Sequence, residues 1–212
     1  METQFYWDEF IEDLNNTISD EQIVFDAGAG AGHWRKHITR DVKYISMDLG
    51  VGDNSVDYSH LDIKGDLRNI PLENNSVDII ICIQVLEHVP EPWTVLKEFN
   101  RILKQGGYLF LTCPQGVPLH QEPYDFYRYT KHGLQYLFST SGFSVIWMKP
   151  QKGNFSKIAN DLRMSGYELL NNNHKTKGYF LKLLARIVEK TFKKNDSYFF
   201  SDTTGYFIKA KK

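Results

Sequence analysis

The chain has 212 residues, 42% hydrophobic and 24% charged, with a formal net charge of −1. That length suits one large domain or one domain with an insertion, and the balance is that of a globular chain. Near-neutral charge argues against a protein that grips nucleic acid chiefly through phosphates, and no apolar run reaches the roughly 20 residues needed to span a bilayer. Met1-Glu2-Thr3-Gln4 lacks the basic-then-apolar layout of a secretory leader. Cys82 and Cys113 lie inside apolar runs, where small buried core residues are expected rather than disulfide halves. A cytoplasmic protein is the expectation.

In chain order, apolar residues at helical spacing (Phe5, Trp7, Phe10, Ile11, Leu14, Ile18) predict an opening amphipathic helix over 5–18. A short strand at 23–25 runs into Asp26-Ala27-Gly28-Ala29-Gly30-Ala31-Gly32, and a helix is expected over 33–40. Strands follow at 42–47, weakly at 61–63, and most clearly at 77–83, where Val-Asp-Ile-Ile-Ile-Cys-Ile has the β-branched content of a strand buried on both faces. A helix over 91–103 is stopped by Gly106-Gly107, and a fifth strand covers 108–113. Beyond Pro114 come an aromatic loop at 115–130, a helix at 131–140, a strand at 143–148 and a partly helical stretch at 153–173. Asn171-Asn172-Asn173 is a linker; a strong amphipathic helix at 179–192 and a last strand at 206–209 follow. Alternating strands and helices imply βαβ units and a mostly parallel sheet, with the loops at 26–32, 48–50, 65–67, 84–88 and 114–130 along one edge.

The glycine loop sets the ligand class. A nicotinamide-dinucleotide fingerprint counted from Gly28 needs a third glycine at 33, where His33 stands. Asp26, two residues before Gly28, is awkward beside a pyrophosphate but suits an ammonium group, which S-adenosylmethionine carries. Asp48 ends the second strand and is placed to accept from both ribose hydroxyls. Asp66 is placed for the adenine amino group, with Leu49 and Leu67 on the two ring faces. Asp53, Asp57 and Asp62 read as exposed loop charges.

As a set, the segments Val24 to Gly32, Asp48, Gly65-Asp66, Ile70 to Asp78, Gln84-Val85-Leu86-Glu87-His88-Val89 and Leu103 to Leu109 resemble the class I S-adenosylmethionine-dependent methyltransferase superfamily, near its ubiquinone and menaquinone methyltransferase branch. The resemblance implies an α/β fold with a Rossmann-like, mostly parallel seven-stranded sheet, helices on both faces and a helical insertion before the last strand. It implies one domain over 1–212: an N-terminal helix at 1–20, a cofactor-binding core at 21–150, a helical insertion at 151–197 and a last strand at 198–212. The cofactor would be S-adenosyl-L-methionine, held by Asp26, Ala27, Gly28, Gly30 and Gly32 at its methionine part, Asp48 at the ribose, Asp66 and Leu67 at the adenine with Leu49 on its other face, and with Gln84 and Val85 alongside. Asp78 reads as structural. His120 to Thr130 is similar to a segment of methyltransferases associated with surface-glycan and polysaccharide biosynthesis.

The methyl of a sulfonium is already electrophilic, so alignment and water exclusion come first, and a sugar or phenol hydroxyl adds the need for a base. His88, His120 and Asp125 are candidates by position. For His120 a catalytic and a packing role are equally open, while His88 reads first as structural. Tyr124, Tyr127 and Tyr129 form an aromatic wall that lids the pocket or packs the loop. Arg128 binds a substrate anion or pairs with Asp125. No histidine spacing points to a metal, and His33 and His37 read as surface helix residues.

Residues 174–194 carry seven cations against Glu189 alone, with Tyr179, Phe180, Leu183, Leu184, Ile187 and Val188 on an apolar side. The preferred reading is a helix packed on the domain with a solvated basic face. Peripheral membrane contact, suited to a lipid-linked glycan acceptor, is the other. The leading function is O-methyl transfer to a sugar, glycan or other small metabolite. The alternatives are a tRNA-modifying methyltransferase and a catalytically silent cofactor-binding module acting through a partner.

Overall fold

A computed structural model describes residues 2–51, 56–192 and 202–212, with side chains from Trp7 onward. The elements are α1 (Glu2–Thr17), β1 (Ile23–Ala27), β2 (Lys43–Asp48), β3 (Ile63–Lys64), β4 (Val77–Ile83), α2 (Pro92–Ile102), β5 (Leu103–Pro114), α3 (Lys131–Thr140), β6 (Ser144–Pro150), α4 (Asn154–Asn171), α5 (Lys175–Phe192) and β7 (Gly205–Lys211). The strands form one seven-stranded sheet in the order β3-β2-β1-β4-β5-β7-β6. Its first five strands pair in parallel; β7 runs antiparallel between β5 and β6.

The alternation along β4 explains why its apolar run is unbroken. Ile79 and Ile81 face a layer made by Phe10 and Leu14 of α1 with Val24, Phe110 and Phe207. Ile80 and Cys82 face the opposite layer, made by Val95, Leu96 and Phe99 of α2 and by Leu134 and Phe138 of α3. Both faces of the sheet are thus covered, as expected, and Cys82 and Cys113 are buried free thiols. Asp78 is structural: it accepts from the Ile23 amide at 2.9 Å and from Lys104 Nζ at 2.8 Å, locking β4 to the start of β1 and to β5.

Several expectations change. The helix over 33–40 is only a 3₁₀ turn, Arg35–His37. Asn15 of α1 takes the groups a longer helix would use, donating to the His37 carbonyl at 2.8 Å and accepting from the Thr39 amide at 2.8 Å. The third strand shifts to Ile63–Lys64, and Asp62, exposed as expected, accepts from the backbone N–H and hydroxyl of Ser46 at the edge of β2. Asp57 is exposed, as expected; Asp53 lies outside the described residues. Gly106-Gly107 does not separate helix from strand: β5 begins at Leu103, paired with Val77. The partly helical stretch is a full helix, α4, joined to α5 through the expected linker. The last strand starts at Gly205 rather than 198, and 193–201 lie outside the described residues. The apolar side of α5 packs only in part: Gly178 and Ala185 are buried and Leu184 and Val188 half-buried, while Tyr179, Phe180, Leu183 and Ile187 are exposed. No helix among the described residues is long and apolar enough to cross a membrane.

Phe10 docks α1 on the sheet, edge-on to Phe110 at 5.6 Å and tilted on Phe207 at 5.2 Å. Phe10→Ala is expected to cost about 3–5 kcal/mol, read as a lower urea midpoint at unchanged slope.

Candidate active site

β1 is hydrogen-bonded to β2 on one side and β4 on the other, so the chain leaves these neighbouring strands in opposite directions. Such a switch point opens a crevice at the carboxyl ends of the strands. The turn after β1 fits there because Gly28 adopts φ +77° and carries no side chain; a Cβ at this position would meet Val85 Cγ2 at 2.3 Å. On the β4 side Gln84 takes φ +55°, its amide bonded to the Thr112 carbonyl and its side-chain amide to the Thr112 hydroxyl, each at 3.0 Å. That turn aims Val85 at the glycine loop.

The cavity is lined by Gly28, Gly30, Asp48, Leu49, Gly65, Asp66, Leu67, Gln84, Val85, His88, Gln121 and Tyr124, among others. Asp48 accepts from the amides of Gly30 at 2.9 Å and Gly50 at 2.8 Å. A Cβ on Gly30 would meet nothing within 4 Å, so the backbone here borders open space. Leu49 and Leu67 supply apolar walls. Asp66 reaches the cavity with both oxygens already engaged by Arg68, at 2.6 to 3.1 Å, and these bonds hold its pKa below the ordinary range. Of the residues expected at the cofactor, Asp26, Ala27 and Gly32 do not line the cavity. Asp26 is buried behind it, receiving the Tyr44 hydroxyl at 2.5 Å, with Oδ1 unpartnered. Burial lifts its pKa to about 6, against the Tyr44 bond and with help from the Asp48 charge.

The loop after β5 closes one side. Asp125 is held by Arg128, which donates to it at 2.6 and 2.7 Å, and by the His120 amide at 2.9 Å. These bonds, led by Arg128, keep its carboxylate far below the usual range. Arg128 therefore spends its charge inside the loop, also donating to the Val117 and Pro118 carbonyls. Tyr127 and Tyr129 pack the loop onto the domain through hydroxyl bonds to the carbonyls of Pro90 and Leu86, each at 2.8 Å. Tyr124 alone of the three faces the cavity.

His88 lines the cavity. Its Nδ1 lies 2.5 Å from the Tyr124 carbonyl oxygen. A carbonyl can only accept, so Nδ1 carries the proton and Nε2 keeps its lone pair. Burial lowers the His88 pKa and favours the neutral ring. His120 stands edge-on to His88, ring centroids 4.8 Å apart, but does not itself line the cavity.

Sequence reasoning missed Glu87 as a functional candidate. It is fully buried, both carboxylate oxygens lack a partner, and burial lifts its pKa to about 8. Its Oε1 lies 3.8 Å from His88 Nε2. A buried acid beside a histidine at a strand end is the signal that could have found it. Sequence spacing also gave no metal set, yet the fold gathers ligand atoms of Glu87, His88 and His120 within 4.8 Å of one another. The separation of 32 positions between His88 and His120 hides that grouping from a spacing rule.

The cavity wall has Asp48 and Asp66 but no lysine or arginine among its described residues. That is unfavourable for a pyrophosphate and suits a ligand whose own charge is cationic. Ribose acceptors at Asp48, apolar walls at Leu49 and Leu67 and the open backbone at Gly30 fit S-adenosylmethionine, whose bound sulfonium supplies an electrophilic methyl group.

A family model described as a methyltransferase domain matches residues 25–111. The ubiquinone biosynthesis O-methyltransferase of Acinetobacter baylyi is 25% identical over 182 residues, covering 74% of this chain and 70% of that protein. The demethylmenaquinone methyltransferase of Staphylococcus haemolyticus is 26% identical over 183 residues, covering 67% and 73%. Among solved structures, the [4+2]-cyclase SpnF superposes with a TM-score of 0.63 at 18% identity, covering 97% of this chain and 81% of that one, a likeness of fold alone. The glycine loop, the strand order and a cavity suited to the cofactor agree with the family match, so residues 25–111 are similar to a methyltransferase domain in sequence and in the geometry of an S-adenosylmethionine site.

Proposed function

We propose that residues 1–212 act as one domain that methylates an oxygen of a small acceptor, a hydroxyl on a sugar, a glycan or another metabolite. The observation that carries this reading is His88: a neutral imidazole on the cavity wall, Nδ1 committed to the Tyr124 carbonyl, with Nε2 free to take a proton. An oxygen nucleophile gains most from such a base, because a hydroxyl must shed its proton as the new bond forms. The A. baylyi relative, named an O-methyltransferase, supports oxygen as the methylated atom. Tyr124, 43% exposed, gives the mouth a ring on which a flat acceptor face can lie. In this reading Asp125 anchors the loop through Arg128, and His120 supports His88 from outside the cavity.

The cofactor is tested by thermal shift. S-adenosylhomocysteine at about 100 times its dissociation constant should stabilise the protein by roughly 2.7 kcal/mol. NAD should do nothing, and Asp48→Ala should lose the shift. Stabilisation by NAD, or by neither ligand, would overturn the assignment. The base is tested on a panel of nucleotide sugars, lipid-linked glycans and phenols. His88→Ala should lower kcat on the active acceptor by about 10²–10⁴-fold while leaving the homocysteine shift intact. An unchanged kcat would remove His88 from the mechanism.

Glu87 gives a prediction that needs no substrate. Burial raises its folded pKa from the ordinary glutamate value of 4.5 to about 8, so the folded state binds the extra proton. That contribution to stability is complete below pH 4.5 and is lost as pH rises towards and through 8. The slope is at most about 1.4 kcal/mol per pH unit for one proton. Urea titrations across this window should show falling stability, and Glu87→Gln should flatten the fall.

A further inference from the structure

The hairpin of α4 and α5 is built inside out for a solvent-facing element. The centre of its contact face is made of small residues. Cβ atoms added at Gly166 or Gly178 would meet the other's carbonyl oxygen at 2.9 and 2.8 Å, and Ala159 and Ala185 are buried. Phe155 stacks on Phe192 at 4.3 Å towards the far end. Small residues let the two backbones approach closely, and four large apolar side chains of α5 are left outside. Tyr179, Leu183 and Ile187 stand at i, i+4 and i+8 on the outer face of α5, with relative exposures of 63%, 55% and 52%; Phe180 beside them is 63% exposed.

The charges flanking that stripe have one sign. At 100° per residue, Lys175 and Arg186 fall along one border and Lys177 beyond the other, while Lys190 continues the stripe at its C-terminal end. None of these four forms an ion pair among the described residues. Glu189, the one acid on α5, is already bound to Arg163 of α4 at 2.6 Å, and Lys182 sits over the Tyr167 ring at 4.1 Å. An apolar stripe of aromatic and aliphatic side chains bordered by cations matches a helix lying in the interface of an anionic bilayer. A second copy of the chain would bring the cationic borders together, so charge favours lipid over self-association.

We propose that the outer face of α5 docks the enzyme on an anionic lipid surface, with Tyr179, Phe180, Leu183 and Ile187 entering the headgroup boundary and the flanking cations meeting the phosphates. Vesicle binding is read without turnover, so it stands apart from the acceptor assignment. The full chain is sedimented with phosphatidylcholine vesicles with and without phosphatidylglycerol. Binding should require the anionic lipid and weaken as salt shortens the screening length from about 10 Å at 0.1 M to 3 Å at 1 M. Arg186→Gln and Lys190→Gln should each weaken it about fivefold. Leu183→Glu with Ile187→Glu should abolish it, while the homocysteine thermal shift reports that the fold is intact. Absence of binding to the anionic vesicles would overturn the proposal, as would equal binding to neutral ones or a dimer in solution that Leu183→Glu dissolves.

Discussion

The site depends on one close approach, that of the Val85 side chain to Gly28. The turns after β1 and β4 belong to adjacent strands at the point where the sheet order reverses, and they share the space between them only because position 28 carries no Cβ. The φ of +77° there is one that glycine reaches freely and other residues do not. Gln84 meets the same constraint from the other side with a positive φ of its own, held by two bonds to Thr112 of β5. Three neighbouring strands thus fix the crevice, and the flanking loops need only hang side chains on its rim.

A second consistency is electrical. Burial, and next to it the Asp48 charge, raises the cost of ionising Asp26, and Glu87 is buried with no hydrogen-bond partner. The nearest strong cation in the post-β5 loop, Arg128, is consumed by Asp125 and by backbone carbonyls. A region so short of positive charge gains by taking in a cation. A ligand bearing a sulfonium and an ammonium relieves the Asp26–Asp48 repulsion that an anionic ligand would worsen. The disposition of acids therefore selects the cofactor class as strongly as the glycine spacing does.

What could be read from the sequence follows the range of each interaction. The β4 run, the glycine loop and Asp48 are local signals, and their roles in the sheet and cavity follow from periodicity and spacing. The lost helix at 33–40 turned on Asn15, 22 residues from the His37 carbonyl it binds, which no local pattern encodes. Asp62 is exposed as expected, but its bonds to Ser46, 16 residues away, escaped the sequence for the same reason. Asp26 was legible as an acid of the site but not as one standing behind the wall, because that depends on Tyr44 reaching it across the neighbouring strand. The apolar side of α5 was legible as a stripe. Which face of the helix would be covered was not, since glycine and alanine carry the contact and a hydrophobicity pattern gives them little weight.

The segment at 115–130 ties these parts together. It is pinned to the sheet where Tyr129 donates its amide to Pro114 and the Tyr206 hydroxyl donates to Gln115. It touches the helical hairpin where Gly116 lies against Lys157 of α4, with no room for a side chain. It reaches the cavity where the Tyr124 carbonyl fixes the His88 tautomer. Arg128 and Asp125 brace the middle of the span with bonds of 2.6 and 2.7 Å. The hydrogen bond that sets the tautomer of His88 is therefore supplied by a segment that also lies against α4.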